Sequence, residues 1–225
     1  MKIVVLIPTF NPKDKIKKVI KILEENNFKD IIIVNDGSNN EHLINLKDIK
    51  YPILNHEINM GKGAALKTGF DYILKNFKDV DGVLTIDDDM QHDIESVKNL
   101  VKKFNGETVI GVRNFDVKGV PTHRKFGNKL SAYIFKKLYK FDVKDTQTGL
   151  RIYSKSCINH IINLESTGFE YELEALIYMI KKKEKIKIVP INTIYNKEPN
   201  TSRYKPIKDS IRVYKIMLIN GRKLK

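Results

Sequence analysis

The chain has 225 residues, 41% of them hydrophobic, which suits one sizeable core and excludes a disordered polyelectrolyte. A single cysteine, Cys157, excludes an internal disulfide and a zinc site built on thiolates, and fits a reducing compartment such as the cytosol. The formal charge of +14 is unevenly spread: residues 1–119 carry 18 basic and 18 acidic side chains, so residues 120–225 hold the whole excess.

The opening MKIVVLIPTF breaks at Pro8 and turns polar, unlike a signal peptide, and no run of about 18 apolar residues predicts a transmembrane helix. Any membrane contact is therefore expected at the surface. KIVVLIPTF (2–10) and DIIIVNDGS (30–38) read as buried parallel strands, being β-branched on every face and ending in turn residues. Between them Ile16, Val19, Ile20 and Leu23 recur at helical spacing, which completes a βαβ unit. YPILNHE (51–57) predicts a third strand, 64–77 a helix, GVLTIDDD (82–89) a fourth strand, 94–104 a helix and ETVIGVRN (107–114) a fifth strand. This alternation predicts an open α/β sheet with its ligand crevice at the carboxyl ends of the strands. NDGSNN, NMGKG and DDDMQHD all follow strands and should converge on that rim.

Residues 123–140 put Phe126, Leu130, Ile134 and Leu138 on one stripe, ringed by Arg124, Lys125, Lys129, Lys136 and Lys137. This basic amphipathic helix suits either an anionic lipid surface or ordinary core packing. Residues 169–183 predict a further helix, KIKIVPINTIY (185–195) a late strand, and 206–220 a terminal helix with Ile207, Ile211, Tyr214 and Leu218 in register. No repeat or low-complexity linker divides the chain, so 1–225 reads as one domain. The basic half is either a lysine-rich solvated surface or a face for phospholipid, polyprenyl phosphate or nucleic acid.

Three rim motifs carry chemistry. In LTIDDDMQHD, extended geometry points Asp87 and Asp89 the same way and Asp88 outward between them, so the first and third aspartates suit a hard cation such as Mg²⁺ or Mn²⁺. Asp93 reads as the start of the following helix. Asp36 stands at a strand end, where a carboxylate can meet a base or ribose. NMGKGAALKTGF offers backbone N–H groups and Lys62 to an anion, without being a P-loop or a GxGxxG fingerprint.

Together IPTFN (7–11), VNDGS (34–38), NMGKGAALKTGF (59–70), IDDDMQHD (86–93), GVRN (111–114), RKFGN (124–128), DTQTGLR (145–151) and FEYELE (169–174) resemble, in order, the family 2 glycosyltransferases of GT-A fold, in the dolichyl-phosphate mannosyltransferase or polyprenyl-phosphate glycosyltransferase branch. The resemblance implies a Rossmann-like open mixed sheet flanked by helices. It also implies metal-dependent, inverting transfer of one hexose from a nucleotide sugar, of GDP-mannose or UDP-glucose type, to a polyprenyl or dolichyl phosphate. Residues 1–119 would bind the nucleotide sugar and residues 120–225 the acceptor and an anionic membrane surface, at the inner face of the cell membrane.

The residues matching the family's motifs take roles accordingly. Pro8, Phe10, Asp36, Lys62, Asp87 and Asp88 would bind the nucleotide sugar, with Asp87, Asp89 and Gln91 on the metal. Arg113, Arg124, Gln147 and Arg151 would face the acceptor phosphate, and Asp89, Asp145, Arg113 and Arg124 are the catalytic candidates. Pro12 and Asn35 depart from the family pattern, in which Glu and Asp stand at these places, and this bears on base recognition. Trp is absent, so the QxxRW signature of processive synthases is too. A phosphate monoester has a second pKa of about 6, so it needs no strong base, whereas an alcohol acceptor would call on Asp145 or Glu172. A family 2 enzyme with a hydroxyl acceptor is the first alternative. A basic nucleic-acid-binding protein is the second, but it leaves the aspartates unexplained, so no nucleic acid is expected.

Overall fold

The computed structural model describes residues 1–117, 120–194 and 206–222, without the side chains of residues 123, 124, 206–208 and 222. In chain order the elements are β1 (Ile3–Thr9), α1 (Lys15–Glu25), β2 (Ile31–Asn35), α2 (Asn40–Leu43), β3 (Ile53–Asn55), α3 (Lys62–Asn76), β4 (Gly82–Thr85), α4 (Ile94–Lys103), β5 (Thr108–Arg113), α5 (Thr122–Tyr139), β6 (Arg151–Ser154), α6 (Lys155–Ile161), α7 (Tyr171–Lys181), β7 (Ile186–Ile191) and α8 (Pro206–Arg222). The strands form one sheet in the order β3-β2-β1-β4-β6-β5-β7. β6 runs antiparallel to both of its neighbours, and every other pairing is parallel.

The β-branched runs explain the layering. Alternate residues of one strand enter different cores, Val4 and Leu6 on one face, Val5 and Ile7 on the other, all fully buried. Each such side chain contributes about 1.5–3 kcal/mol on leaving water. One core is closed by α3, α5, α6, α7 and α8, through Phe70, Phe135, Ile161, Tyr171 and Met217; the other by α1 and α4, through Ile16, Leu23, Val97 and Leu100. Asp93 caps α4 as its position suggests, accepting from the Ser96 N–H at 2.7 Å. Such a cap contributes about 1 kcal/mol.

Two differences from the sequence-based expectation shape the site. The strand β6 is unheralded by any hydrophobic run, because RIYS is four residues long and opens on an arginine. Its reversed direction pairs Arg151 with Thr85 and so delivers residues 145–150 to the rim where β4 ends. The second difference is in α5. The expected single stripe divides: Ile134 and Leu138 pack on the core beside Phe135, whereas Phe126 and Leu130 stay exposed, Phe126 by 70%. The predicted strand over 185–195 ends at Ile191; Tyr195 and the side chain of Ile207 lie outside the described residues.

Candidate active site

The rim gathers the end of β4, the glycine loop before α3, the end of β5 and the segment entering β6. Beyond Thr85 the chain leaves the strand, and Met90 takes a left-handed conformation at φ 64° that turns it back toward α4. Asp87 is 30% exposed. Asp89 is half-buried and its Oδ1 accepts from the Gln91 N–H at 3.0 Å. Burial, and then the charge of Asp87, push the Asp89 carboxyl up to about 6. Burial would raise Asp87 as well, but the Lys62 ammonium, with Arg113, holds it down at about 2. Two carboxylates crowded enough to repel are the donor set that a divalent ion relieves. Among the described residues no three His, Cys, Asp or Glu side chains cluster as a metal cage. Two carboxylates suit a hard ion that takes its other ligands from substrate phosphates and water. Close backbone approach makes room for it: a Cβ on Gly149 would fall on the Asp87 carboxylate.

Asp88 corrects the expectation that it points outward. It is buried and accepts a hydrogen bond from the Thr9 hydroxyl, tying the segment after β4 to the end of β1 beneath the rim. His92 is buried too, its Nε2 3.9 Å from Asp87 Oδ2 and its Nδ1 without a partner among the described residues; burial pushes its pKa down to about 4, so it is neutral.

Asp36 is likewise taken by the protein. Its Oδ1 accepts from His56 Nδ1 at 2.7 Å and the Met60 N–H at 2.9 Å, its Oδ2 from Asn59 Nδ2 at 3.0 Å and the Gly61 N–H at 2.8 Å. Four donors saturate the carboxylate, so the expected base or ribose contact gives way to a structural role. Asp36 moulds the NMGKG loop. Gly61, at φ 103°, is packed so closely on Thr167 that a Cβ would strike its carbonyl oxygen. Asn35 is buried as well, accepting from the Ser38 N–H and donating to Asn55. Pro8 is buried within β1, and Phe10 follows it half-buried. Lys62, expected to meet an anion of the ligand, is held by two carboxylates of the chain: Asp87 Oδ1 at 2.8 Å and Glu172 Oε2 at 3.0 Å.

Across the rim Arg113 grips Asp145, with Nε donating to Oδ2 at 2.6 Å and Nη2 to Oδ1 at 3.3 Å. Burial alone would raise the Asp145 pKa; the guanidinium overrides it and holds the carboxyl below the usual range. Asp145 is buried, while Arg113 keeps 21% exposure. The Gln147 backbone N–H also donates to Asp145, and its half-buried side chain lies beside the pair in sequence. From α5, Asn128 donates to the Lys144 carbonyl and Ser131 lies against Thr146, so the helix steadies this loop.

Arg151 overturns its expected role. It is fully buried, donating to the carbonyls of Thr148, Glu172 and Thr146 at 2.9, 2.7 and 3.0 Å and to the Tyr153 hydroxyl at 3.3 Å. It binds main chain, and a phosphate cannot reach it. Arg124 lies in the first turn of α5, and its side chain is outside the described residues. Sequence reasoning missed the Lys62–Glu172 and Thr9–Asp88 contacts, which join segments with no shared motif. A surface cleft of about 380 Å³ between α4 and β7 contains none of these groups.

A sequence model of the family described as Glycosyl transferase family 2 matches residues 4–162. The chain belongs to that family. It is 33% identical over 217 residues to the UDP-N-acetylglucosamine--dolichyl-phosphate N-acetylglucosaminyltransferase of Methanococcus voltae, covering 86% of each chain. To the dolichyl-phosphate beta-glucosyltransferase of Saccharomyces cerevisiae it is 26% identical, over 96% of this chain and 72% of that one. Among solved structures, glucosyl-3-phosphoglycerate synthase from Mycobacterium tuberculosis, in complex with Mn²⁺, uridine diphosphate and glucosyl-3-phosphoglycerate, superposes with a TM-score of 0.74 at 18% identity. The match covers 98% of this chain and 80% of the synthase. The family and the seven-stranded mixed sheet with flanking helices together make the fold GT-A.

Proposed function

We propose that this glycosyltransferase moves one hexose from a nucleotide sugar to a polyprenyl phosphate of the dolichyl type, with inversion at the anomeric carbon. The observation that carries the acceptor class is the condition of the two carboxylates an alcohol would need as base. Asp145 is locked on Arg113 and Glu172 on Lys62, both buried. A phosphate monoester needs neither, since it already carries a nucleophilic, substantially dianionic oxygen at neutral pH. The names of the Methanococcus voltae and Saccharomyces cerevisiae relatives support the same acceptor.

Arg113 has five N–H donors and turns two side-chain nitrogens toward Asp145. The donors left over, on a side chain steadied by that grip, suit an acceptor phosphate, and Arg124 joins it from the first turn of α5. Asp87 and Asp89, with Gln91, would hold Mg²⁺ or Mn²⁺, a donor set supported by their crowding and by the Mn²⁺ and uridine diphosphate of the mycobacterial synthase that shares the fold. When bound, the ion offsets charge appearing on the leaving diphosphate. Phe10 flanks the base, buried Pro8 supports it from within β1, and Asp36 acts on the nucleotide through the loop it moulds.

No helix among the described residues is long and apolar enough to cross a membrane. A peripheral position on the inner face of the membrane suits α5, whose exposed Phe126, Leu130 and Tyr133 are interleaved with Lys129, Lys136 and Lys137, and α8, which exposes Ile211, Leu218 and Ile219 beside Arg212 and Lys215. Each basic residue near anionic lipid contributes about 1 kcal/mol. The test is incubation with labelled UDP-N-acetylglucosamine, UDP-glucose and GDP-mannose in turn, with Mn²⁺ or Mg²⁺ and dolichyl phosphate. Label entering the organic phase supports the proposal; label moving only to water-soluble acceptors contradicts it.

A further inference from the structure

Lys62 opens α3 directly after the glycine loop, and its ammonium bridges two carboxylates of unequal depth. Asp87 faces the ligand side, while Glu172, on buried α7, is 3% exposed. Glu172 has a further peculiarity: its Oε1 is buried with no hydrogen-bond partner among the described residues. A buried carboxylate oxygen left unpaired is costly, and a simple structural ion pair gives no reason for it. The ammonium has three donors, and the bridge directs it to one oxygen of each partner. The Phe169 ring, 6.0 Å from Nζ, adds a second attraction for the cation.

We propose that Lys62 is an internal counter-cation of the metal site, occupying Asp87 until a divalent ion arrives and then withdrawing onto both oxygens of Glu172. The inference rests on the assignment of Asp87 and Asp89 as metal ligands. An ion held by Asp87 and an ammonium 2.8 Å from the same carboxylate repel strongly in a poorly solvated site. Moving the ammonium off Asp87 relieves that repulsion. The backbone around Lys62 is fixed by the Met60 and Gly61 N–H bonds to Asp36 and by the Ala64 N–H bond to the Thr167 carbonyl, so the side chain moves alone. The unpartnered Oε1 of Glu172 is the berth that the movement fills. Lys62 thereby offsets the charge of Asp87 in the ion-free protein, and Glu172 keeps the displaced charge from being stranded.

The experiment is Mn²⁺ titration of the nucleotide-free protein, read by the paramagnetic resonance of the unbound ion, for wild type, Asp89→Ala, Lys62→Met, Lys62→Arg, Glu172→Gln and the Lys62→Met/Glu172→Gln double variant. Removing the competing cation should tighten Mn²⁺ binding by about tenfold or more in Lys62→Met, with Lys62→Arg returning toward wild type. Glu172→Gln should weaken binding several-fold, because the ammonium is then left to Asp87. In the double variant the glutamine should add nothing to the effect of Lys62→Met, because there is no ammonium to receive. If wild type binds Mn²⁺ and Lys62→Met binds it equally or less well, the counter-cation is refuted and the metal assignment stands. If wild type binds no Mn²⁺ that Asp89→Ala abolishes, both fall. Thermal melting accompanies each variant, and should Lys62→Met not fold, Glu172→Gln against wild type decides: unchanged or tighter binding overturns the proposal.

Discussion

Replacing Asp145 by asparagine keeps the shape of the Arg113 clamp and removes its charge. The carboxylate accepts Arg113 Nε at 2.6 Å, Nη2 at 3.3 Å and the Gln147 N–H at 3.1 Å. Asparagine offers one acceptor oxygen and sets an NH₂ against the remaining donors. Breaking one side of a buried ion pair costs about 3–5 kcal/mol, but Arg113 keeps partial access to water, so about 2–3 kcal/mol is expected. For a chain of this size that lowers Tm by about 5–10 °C. The pH dependence is specific. Burial opposes the Asp145 charge and the guanidinium outweighs it, so the folded pKa is depressed. Its stabilisation is then full above the unfolded pKa of about 3.9 and is lost as pH falls through the folded value. The Tm gap between wild type and variant should stay level from neutral pH to about pH 5 and close below about pH 4. A loosened Arg113 should also raise the KM for dolichyl phosphate while Mn²⁺ affinity holds. Differential scanning calorimetry across pH, with acceptor kinetics, tests both. A gap under about 1 °C at neutral pH, with unchanged acceptor KM, would refute the clamp.

Three further outcomes follow from the same geometry. Arg151→Lys should not rescue what Arg151→Met destroys, since one ammonium cannot reach three carbonyls and a hydroxyl; both should lose more than about 3 kcal/mol in denaturant melts, and a soluble, stable Arg151→Met would show that the arginine is not structural. Asp36→Asn should speed hydrogen exchange at the Met60 and Gly61 amides and raise the donor KM, whereas unchanged exchange would show the loop holds without it. Phe126→Asp with Leu130→Asp should abolish sedimentation with phosphatidylglycerol vesicles and leave thermal stability within about 0.5 kcal/mol, both side chains being exposed; undiminished vesicle binding would remove α5 from the membrane contact.

The parallel part of the sheet was legible because its strands are continuous β-branched runs that end in Gly, Asp and Asn. Helices with caps or clean periodicity, such as α1 and α4, were legible for similar reasons. The rim's membership was legible through the strand-end rule, which brought Asp87, Asp89 and Lys62 together before any coordinates. What the sequence concealed was the direction of β6 and the satisfaction of charges. RIYS carries no strand signal, yet its reversal delivers Asp145 to the rim. Arg151 and Asp36 look like ligand groups in a motif, and only three-dimensional bonding reveals that carbonyls and amides of the chain saturate them. Asp88 was misdirected for another reason: the strand ends at Thr85, so alternation no longer governs residue 88.

The measurement closest to the central claim compares dolichyl phosphate with dolichol of the same length as acceptors for one labelled nucleotide sugar, in wild type and in Asp89→Ala. The account predicts transfer to the phosphate alone, dependent on Mn²⁺ or Mg²⁺ and lost with Asp89, because the site's remaining carboxylates are tied to cations and cannot serve as a base. Comparable transfer to dolichol, or undiminished transfer to the phosphate without Asp89, would contradict it.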